Sequence, residues 1–314
     1  MKLQTIILNY RTPEMTLEAV EAARRALAAV DGGYRLDVVD NDSGDGSYAR
    51  LAEACADFDD VEVHQTGFNG GFGFGNNYAA LRALASDDPP ELIYLLNSDA
   101  FPDPDAIARL VALMDERPDA GIAGSQLVGP EGDRQVSAFR FPSLASELVG
   151  SVRLGLLERA LPEREVPIHP PPSRTTTADW LAGASMMIRA ETFEDVGGFD
   201  EGYFLYFEET DLCRRAALRG WTTWYVVDSR CVHLVHGSTG LRDLSRPMPR
   251  YWFDSRRHYF RKNHGRAYAW AANVVHAAGL ATYRVREKLQ GKAPQDPARF
   301  LRDFCTYNFV LNQP

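Results

Sequence analysis

The chain has 314 residues, 45% of them hydrophobic and 25% charged, which is enough for one large α/β domain with appendages or for two small domains. A formal net charge of −9 argues against a protein that holds nucleic acid by neutralising phosphates. Four scattered cysteines, Cys55, Cys213, Cys231 and Cys305, form no C-x-x-C pair, so neither a zinc site nor a disulfide framework is suggested and reduced cytosolic thiols are the simplest account.

From the N-terminus, Thr5 to Leu8 reads as a buried strand, too short an apolar run for a signal peptide. Pro13 opens a helix with apolar positions Leu17, Val20, Ala23, Leu27 and Val30, stopped by Asp31-Gly32-Gly33. Leu36 to Val39 is the next strand, Tyr48 to Ala56 a helix, and Val61 to Val63 a short strand before a glycine-rich loop. Asn76 to Leu84 is expected to be helical and Leu92 to Leu96 a strand ending at Asn97-Ser98-Asp99. Alternation of this kind predicts βαβ units and a mostly parallel sheet. Each polar cluster falls at the C-terminal end of a strand, where open parallel sheets bind ligands.

Between Gly129 and Thr177 the prolines predict a long irregular excursion over the site or at its rim. Order resumes at Asp179 to Ile188, Thr222 to Val227 reads as a further strand, and from about Ser245 the pattern is helical and basic. The least polar stretch, Ala267 to Tyr283, is too interrupted to span a membrane and fits a buried helix or an interfacial one.

Several clusters could carry chemistry. Asp40-Asn41-Asp42-Ser43 follows a strand and offers hydrogen bonds to a base or ribose, although Asp and Asn build turns without any ligand. Asn69 to Asn77 holds four glycines that free backbone amides for phosphate or ribose, but at 70, 71, 73 and 75 they do not make G-x-G-x-x-G, which lowers the case for a NAD enzyme. Asp99, just past a strand, can hold a divalent ion against a diphosphate or cap a helix. His233 and His236 are candidates for a second metal ligand, against the commoner structural role of a lone histidine.

The segment Tyr203 to Arg215 sets Glu208, Glu209 and Asp211 directly behind Tyr203-Phe204-Leu205-Tyr206-Phe207. Apolar surroundings raise a carboxylate's pKa and make it a usable base near neutral pH. Acids in a helix's first turn also complement the helix dipole with no catalytic role.

Taken in order, Thr5 to Tyr10, Val38 to Ser43, Asn69 to Asn77, Leu95 to Asp99, Gly183-Ala184, Gly197 to Glu201, the acids at 208 to 211, Trp221, His233 and Ser255 to Phe260 resemble the inverting family 2 glycosyltransferases, in particular their bacterial rhamnosyltransferase-like branch. The resemblance implies an A-type glycosyltransferase fold, α/β with a Rossmann-like, mostly parallel central sheet flanked by helices and a helical C-terminal extension. It implies a catalytic domain over 1–244, with a nucleotide-binding half at 1–128 and an acceptor and base half at 178–244, then the extension at 245–314. It further implies transfer of a sugar from a nucleotide-diphosphate sugar, dTDP-rhamnose-like or a UDP-sugar, to a glycan or lipid-linked acceptor in cell-surface polysaccharide synthesis.

On that analogy Asp40 reads the pyrimidine, and Asn9, Tyr10, Arg11, Asn41, Ser43, Asn69, Gly71, Phe72, Asn76, Asn97, Ser98 and Gly183 line the nucleotide-sugar side. Asp99 holds Mg2+ or Mn2+, with His233 or His236 as a further ligand. Asn97 stands where the family's D-x-D motif has its first aspartate, which weakens the expected metal affinity. The base maps onto Glu208-Glu209, with Glu209 in the base position and Glu208 as the alternative. Asp211 orients the acceptor or pairs with Arg214 or Arg215, and Trp180 and Arg214 face the acceptor.

The variant motifs leave a second reading open, a catalytically idle sugar-nucleotide binding or assembly protein. A nucleotidyltransferase is disfavoured, because no glycine-rich loop with a following lysine stands near the N-terminus. The arginines at 250, 256, 257 and 261, beside Tyr251, Trp252 and Phe253, suit an anionic membrane surface, so the expected location is cytoplasmic with peripheral association at the inner face of the cell membrane.

Overall fold

The computed structural model describes residues 1–234 and 244–310. Its first half runs β1 (Leu3–Asn9), α1 (Pro13–Leu27), β2 (Tyr34–Asp40), α2 (Ser47–Ala54), β3 (Val61–Gln65), α3 (Phe72–Leu84), β4 (Leu92–Asn97), β5 (Ala100–Pro102), α4 (Ala106–Glu116) and β6 (Ala120–Val128). There follow β7 (Ala138–Phe139), α5 (Leu144–Val152), α6 (Gly155–Ala160), β8 (Thr176–Thr177), β9 (Trp180–Leu181), β10 (Ser185–Arg189), α7 (Ala190–Val196), α8 (Glu208–Leu218) and β11 (Thr222–His233). The chain closes with α9 (Arg250–His264), α10 (Arg266–Leu289) and α11 (Phe300–Cys305).

Nine strands form one sheet in the order β3-β2-β1-β4-β10-β6-β11-β5, with β8 paired to β11, and β7 with β9 forms a separate ribbon. Pairing is parallel from β3 to β4 and between β6 and β11, whereas β10 lies antiparallel between β4 and β6. The period-2 alternation of side chains builds a core on each face. Leu3, Ile7, Leu36, Val38, Tyr94 and Leu96 pack under Val20, Leu51, Ile107 and Leu110. Ile6, Val39, Ile93, Leu95 and Met186 pack under Ala79, Phe193, Phe199 and Leu212 on the other. The connection after β1 leads one way to β2 and β3 while β4 lies on its other side, so the ends of β1 and β4 flank a switch point, the usual place for a ligand crevice.

Three expectations need correction. Helix α3 begins at Phe72, not Asn76: Gly71, at φ 93°, turns the chain and the Gly75 N–H already donates to the Gly71 carbonyl. Gly73 and Gly75 are thus helical, and the space a Cβ would need is taken by Phe199 and Leu8 respectively; these glycines let the helix approach the sheet rather than a phosphate. Val30 lies beyond α1, which ends at Leu27. The 129–177 excursion is not structureless, since it contains β7, α5 and α6, and α5 packs on α10, where Ser151 and Val152 fill the space above Gly279.

Candidate active site

A pocket of about 560 Å³ opens at the switch point, a volume ordinary for a small-ligand site. One wall carries Tyr10, Asn41, Asn69, Gly71 and Phe72, and the floor carries Asn97, Ser98, Asp99 and His233. Glu208, Glu209, Phe204, Leu205, Tyr206, Tyr251, Leu8 and Ala182-Gly183-Ala184 complete the lining, and Phe204 meets the first wall at Gly71 and Phe72. Asp99 and the two glutamates therefore line one pocket. No residue of the 129–177 segment lines it, so that segment does not cover the site as expected.

Behind the first wall lies a buried polar network. Asp40 is fully buried and accepts hydrogen bonds from Asn9 Nδ2 at 2.7 Å and from the Ser43 N–H at 3.2 Å. Asn9 Oδ1 accepts from Thr16 Oγ1 and the Thr12 N–H, while Arg11 donates through its backbone N–H to Ser43 Oγ and through Nε to the Ser43 carbonyl. Asp40, Asn9, Ser43 and Arg11 thus shape the turns after β1 and β2 and do not line the pocket, a correction to their expected contact with the nucleotide. The Asp40 carboxylate is thus taken up by partners inside the fold. The Asn41 amide faces the pocket and donates to Asn69 Oδ1 and the Gly71 carbonyl, both at 3.0 Å. Asn76 is also corrected: it is buried and donates to the Phe72 carbonyl within its own helix.

The floor is made by strand pairing. Register between β5 and β11 sets His233 opposite Ala100, and His233 Nε2 lies 3.3 Å from Asp99 Oδ1. A carboxylate and an imidazole on one pocket floor make a donor set suited to Mn2+ and acceptable to Mg2+ through the carboxylate. His236 lies outside the described residues. The cluster Asp37, Glu62 and His64 also gathers potential ligand atoms within 4.8 Å, but none of the three lines the pocket. Asp37 already accepts from Gln4 Nε2 and Arg35 Nε and meets His64 Nε2 at 2.9 Å.

Glu208 and Glu209 begin α8, directly after Tyr206 and Phe207, both at φ 69°. Two consecutive non-glycine residues in the left-handed region store strain, and such strain persists only where surrounding structure holds it. Here Leu205 accepts from Ser255 Oγ at 2.9 Å, Tyr251 packs on Phe204 and Tyr206, and Phe207 packs on Trp252 and Tyr259, so α9 supplies much of the support. On the far side, the Phe204 carbonyl accepts the Phe72 N–H, and it sits where a Cβ on Gly71 would have to be.

Oε2 of each glutamate is buried and has no hydrogen-bond partner among the described residues. Burial pushes Glu209 up to about 7, and burial together with the neighbouring Glu209 charge raises Glu208 well above its ordinary value. A helix N-terminus favours anions by about 0.3–1 kcal/mol, so desolvation outweighs the dipole here. Desolvation therefore holds both carboxyls toward the protonated form.

Asp211 lies one turn along α8 and is fully buried. Burial works to raise its pKa, but Arg215, Lys262 and Asn263 outweigh it and hold the carboxyl below its ordinary range. Arg215 Nε lies 2.7 Å away, Lys262 Nζ 2.8 Å and Asn263 Nδ2 3.0 Å, and Lys262 also reaches Asp200 at 2.7 Å. Asp211 is thus a strut between α8 and α9, paired with Arg215 and not Arg214, and it does not line the pocket. Trp180 stacks on Phe139 and donates to the Arg140 carbonyl, and Arg214 lies over the Phe141 ring, so neither faces the pocket as an acceptor contact.

A family model described as glycosyltransferase-like family 2 matches residues 3–265. The chain belongs to that family. The glycosyltransferase is 31% identical over 216 residues, 65% of its own length and 67% of the relative's, to N-acetylglucosaminyl-diphospho-decaprenol L-rhamnosyltransferase of Mycobacterium tuberculosis. It is 28% identical over 214 residues to rhamnosyltransferase WbbL of Escherichia coli K12, covering 67% of this chain and 76% of that one. Among solved structures it superposes on mannosyltransferase PcManGT of Pyrobaculum calidifontis, in complex with GDP-Man and Mn2+, with a TM-score of 0.59, 14% identity and coverage of 99% and 88%. It also matches S. aureus TarS 1-349 in complex with UDP at a TM-score of 0.52 with 16% identity, over 91% of this chain and 72% of that one. The architecture is the A-type glycosyltransferase fold, and the likeness to the rhamnosyltransferase-like branch stands in the named relatives.

Sequence reasoning missed Leu8, Ala182 and Ala184 on the pocket wall and gave Phe204, Leu205, Tyr206 and Tyr251 no place in it. It also missed Lys262 and Asn263, which hold Asp211. Nothing local marks a lysine 51 residues from its partner, so only the packing of α9 on α8 reveals it.

Proposed function

We propose that this glycosyltransferase is inverting and metal-assisted, moving a 6-deoxyhexose such as rhamnose from a nucleoside-diphosphate donor to a lipid-linked glycan acceptor. The observation that carries the reading is one pocket lined both by the Asp99 carboxylate and His233 imidazole and by Glu208 and Glu209, each with a buried Oε2 that has no hydrogen-bond partner among the described residues. The printed names of the rhamnosyltransferase relatives support the sugar, and the decaprenol diphosphate in one of them supports the acceptor. Phe72, Leu205, Ala182 and Ala184 give the pocket an apolar wall suited to a methyl group at C6. In this reading residues 1–128 serve the nucleotide and 178–244 the acceptor and base.

The base is Glu209. Its carboxylate takes the acceptor hydroxyl proton as the acceptor oxygen bonds to the anomeric carbon, and the bond from that carbon to the phosphate oxygen breaks with its electron pair leaving on the diphosphate. Attack and departure on opposite faces of the sugar invert the centre. Asp99 and His233 would hold Mg2+ or Mn2+, which supplies positive charge for the departing diphosphate. Burial and the neighbouring Glu209 charge favour the protonated form of Glu208, which as an acid can donate a hydrogen bond to a sugar or acceptor oxygen. Phe204, Tyr206 and Tyr251 exclude water from the reacting centre.

A thermal-shift panel of UDP-, dTDP- and GDP-sugars with and without Mn2+, followed by transfer assays on the stabilising donor, tests the reading. Binding stabilises the native state with the logarithm of ligand excess, so a donor should raise the Tm and the metal should increase the rise. Stabilisation by a donor without transfer or donor hydrolysis would instead identify a sugar-nucleotide binding protein.

A further inference from the structure

The basic, aromatic stretch around residue 250 is not the surface its composition suggests. Arg256 is only 1% exposed and donates to Glu147 and Asn273, Phe253 is fully buried, and Arg257 is taken up by Asp254 and the Tyr307 carbonyl. An apolar face turned to solvent lies instead one helix further on.

Helix α10 buries Ala269, Ala272, Asn273, Gly279, Leu280, Tyr283 and Glu287 against α5 and its other neighbours. Its opposite face carries Trp270, Val274, Ala278, Ala281, Val285 and Leu289, all exposed, with Trp270 at 62% and Leu289 at 84%. At 100° per residue these six positions fall within one stripe about 100° wide and about 28 Å long. From Ala267 to Tyr283 the helix has no charged residue. Exposed Arg266 and Lys288 stand at its two ends, and its one acid, Glu287, is buried and paired with Arg284. Leu148, Leu154 and Leu156, also exposed, belong to the α5–α6 corner, which meets the C-terminal half of α10 through a hydrogen bond from Arg286 Nη2 to the Val152 carbonyl at 2.8 Å.

We infer that the outer face of α10, extended by the α5–α6 corner, seats the protein on an anionic lipid bilayer. A long helix with an apolar stripe, a tryptophan within it and cations but no exposed acid at its ends has the composition of a helix lying in the plane of a membrane interface. The cations at both ends complement lipid phosphates, although the chain as a whole carries −9. Among the described residues no helix is long and apolar enough to cross a membrane, so α10 would lie on the bilayer rather than span it. Seating of this kind rests on the lipid-linked acceptor of the proposed function and gives it a physical purpose, because it confines enzyme and acceptor to one surface. Helix α9, which packs on α10, also supports the loop before the glutamates, so the seat and the catalytic wall are mechanically connected.

The test is flotation of the full chain with vesicles of phosphatidylcholine alone or mixed with phosphatidylglycerol, a measurement that needs neither donor nor acceptor. The wild type should float with the mixed vesicles and much less with the neutral ones. Trp270→Glu combined with Val285→Glu should lower the bound fraction about tenfold or more, and Arg266→Gln with Lys288→Gln should lower it less, since burial of apolar surface is the larger part of interfacial binding. All four positions are exposed, so an unchanged Tm and an unchanged donor-induced thermal shift should accompany the loss. Absence of flotation in every mixture overturns the inference, as does equal flotation of wild type and the Trp270/Val285 variant. A concentration-dependent dimer abolished by the same pair, without vesicle binding, also overturns it and makes the face a contact between copies.

Discussion

His233, the last residue of β11, sets its Nε2 3.3 Å from the Asp99 carboxylate, joining that strand to the polar turn after β4. Loss of one partner leaves the other without its counterpart on the pocket floor. If the pair holds a divalent ion, His233→Ala should raise the Mn2+ concentration for half-maximal activity by about 10–100-fold. Asp99→Ala should remove the Mn2+ dependence of donor binding altogether. Nucleotide-sugar titrations with and without Mn2+ measure both, and identical curves for wild type and the Asp99 variant would remove the pair's role.

The two glutamates should separate by pH profile. Glu209 must lose its proton to act as base, so activity should rise with pH along a limb centred near 7, where burial places it. Glu209→Gln should abolish transfer and leave donor binding within about twofold, the signature of an interaction made only in the transition state. Glu208→Gln mimics the protonated acid and should keep measurable activity with its rising limb still near 7. Full activity in the Glu209 variant, or loss only in the Glu208 variant, would exchange the two roles.

The same carboxyls should leave a mark on stability. Both ionise at higher pH in the folded chain than their ordinary value of 4.5, so the native state holds more protons in the interval from that value to about 7. Stability from this pair is therefore present below the ordinary value and declines as pH rises through that interval. Urea unfolding from pH 4.5 to 7.5 should show a weaker decline for the double variant Glu208→Gln, Glu209→Gln than for wild type.

Gly71 should tolerate no side chain. Its φ of 93° disfavours L-residues, and the Phe204 carbonyl oxygen occupies the space a Cβ needs. Gly71→Ala should cost about 3 kcal/mol or more and reduce activity in the folded fraction, because the displaced Phe204 leads directly into the glutamates. Gly33, at φ 80° with nothing nearby, is the control and should cost only about 1–2 kcal/mol as Gly33→Ala. Equal losses at both positions, read from urea midpoints, would show that the Phe204 contact has no weight.

Lys262 is a positioning residue for α8. Lys262→Met should lower kcat about tenfold with KM for the donor nearly unchanged, since the lysine bonds Asp211 and Asp200 without lining the pocket. Lys262→Arg should restore part of the loss. A KM effect with unaltered kcat would place the lysine's influence on the nucleotide instead.

Much of this molecule could be read along the chain. Strands β1, β2 and β4 are runs of Val, Ile and Leu ended by Asn or Asp, and α1 has a proline at its first turn and a helical apolar stripe, so local pattern alone determined the parallel half-sheet and the crevice at its strand ends. The order of polar clusters further determined the family. Local pattern could not say which face of a turn points outward. Asp40 and Asn41 are adjacent acceptors after one strand, yet the first is sealed by Asn9 and Ser43 and only the second meets the pocket. Gly73 and Gly75 look like phosphate-cradling residues until Phe199 and Leu8 are seen against them. Asp211 looks catalytic until Lys262 arrives from α9, and Arg256 looks exposed until Glu147 does. The deciding partners Asn9, Phe199, Leu8, Lys262 and Glu147 lie between 31 and 126 residues away along the chain, and burial depends on such neighbours while residue type does not. Tertiary packing alone therefore chose which carboxyls were desolvated enough to carry protons at neutral pH and which were neutralised as struts.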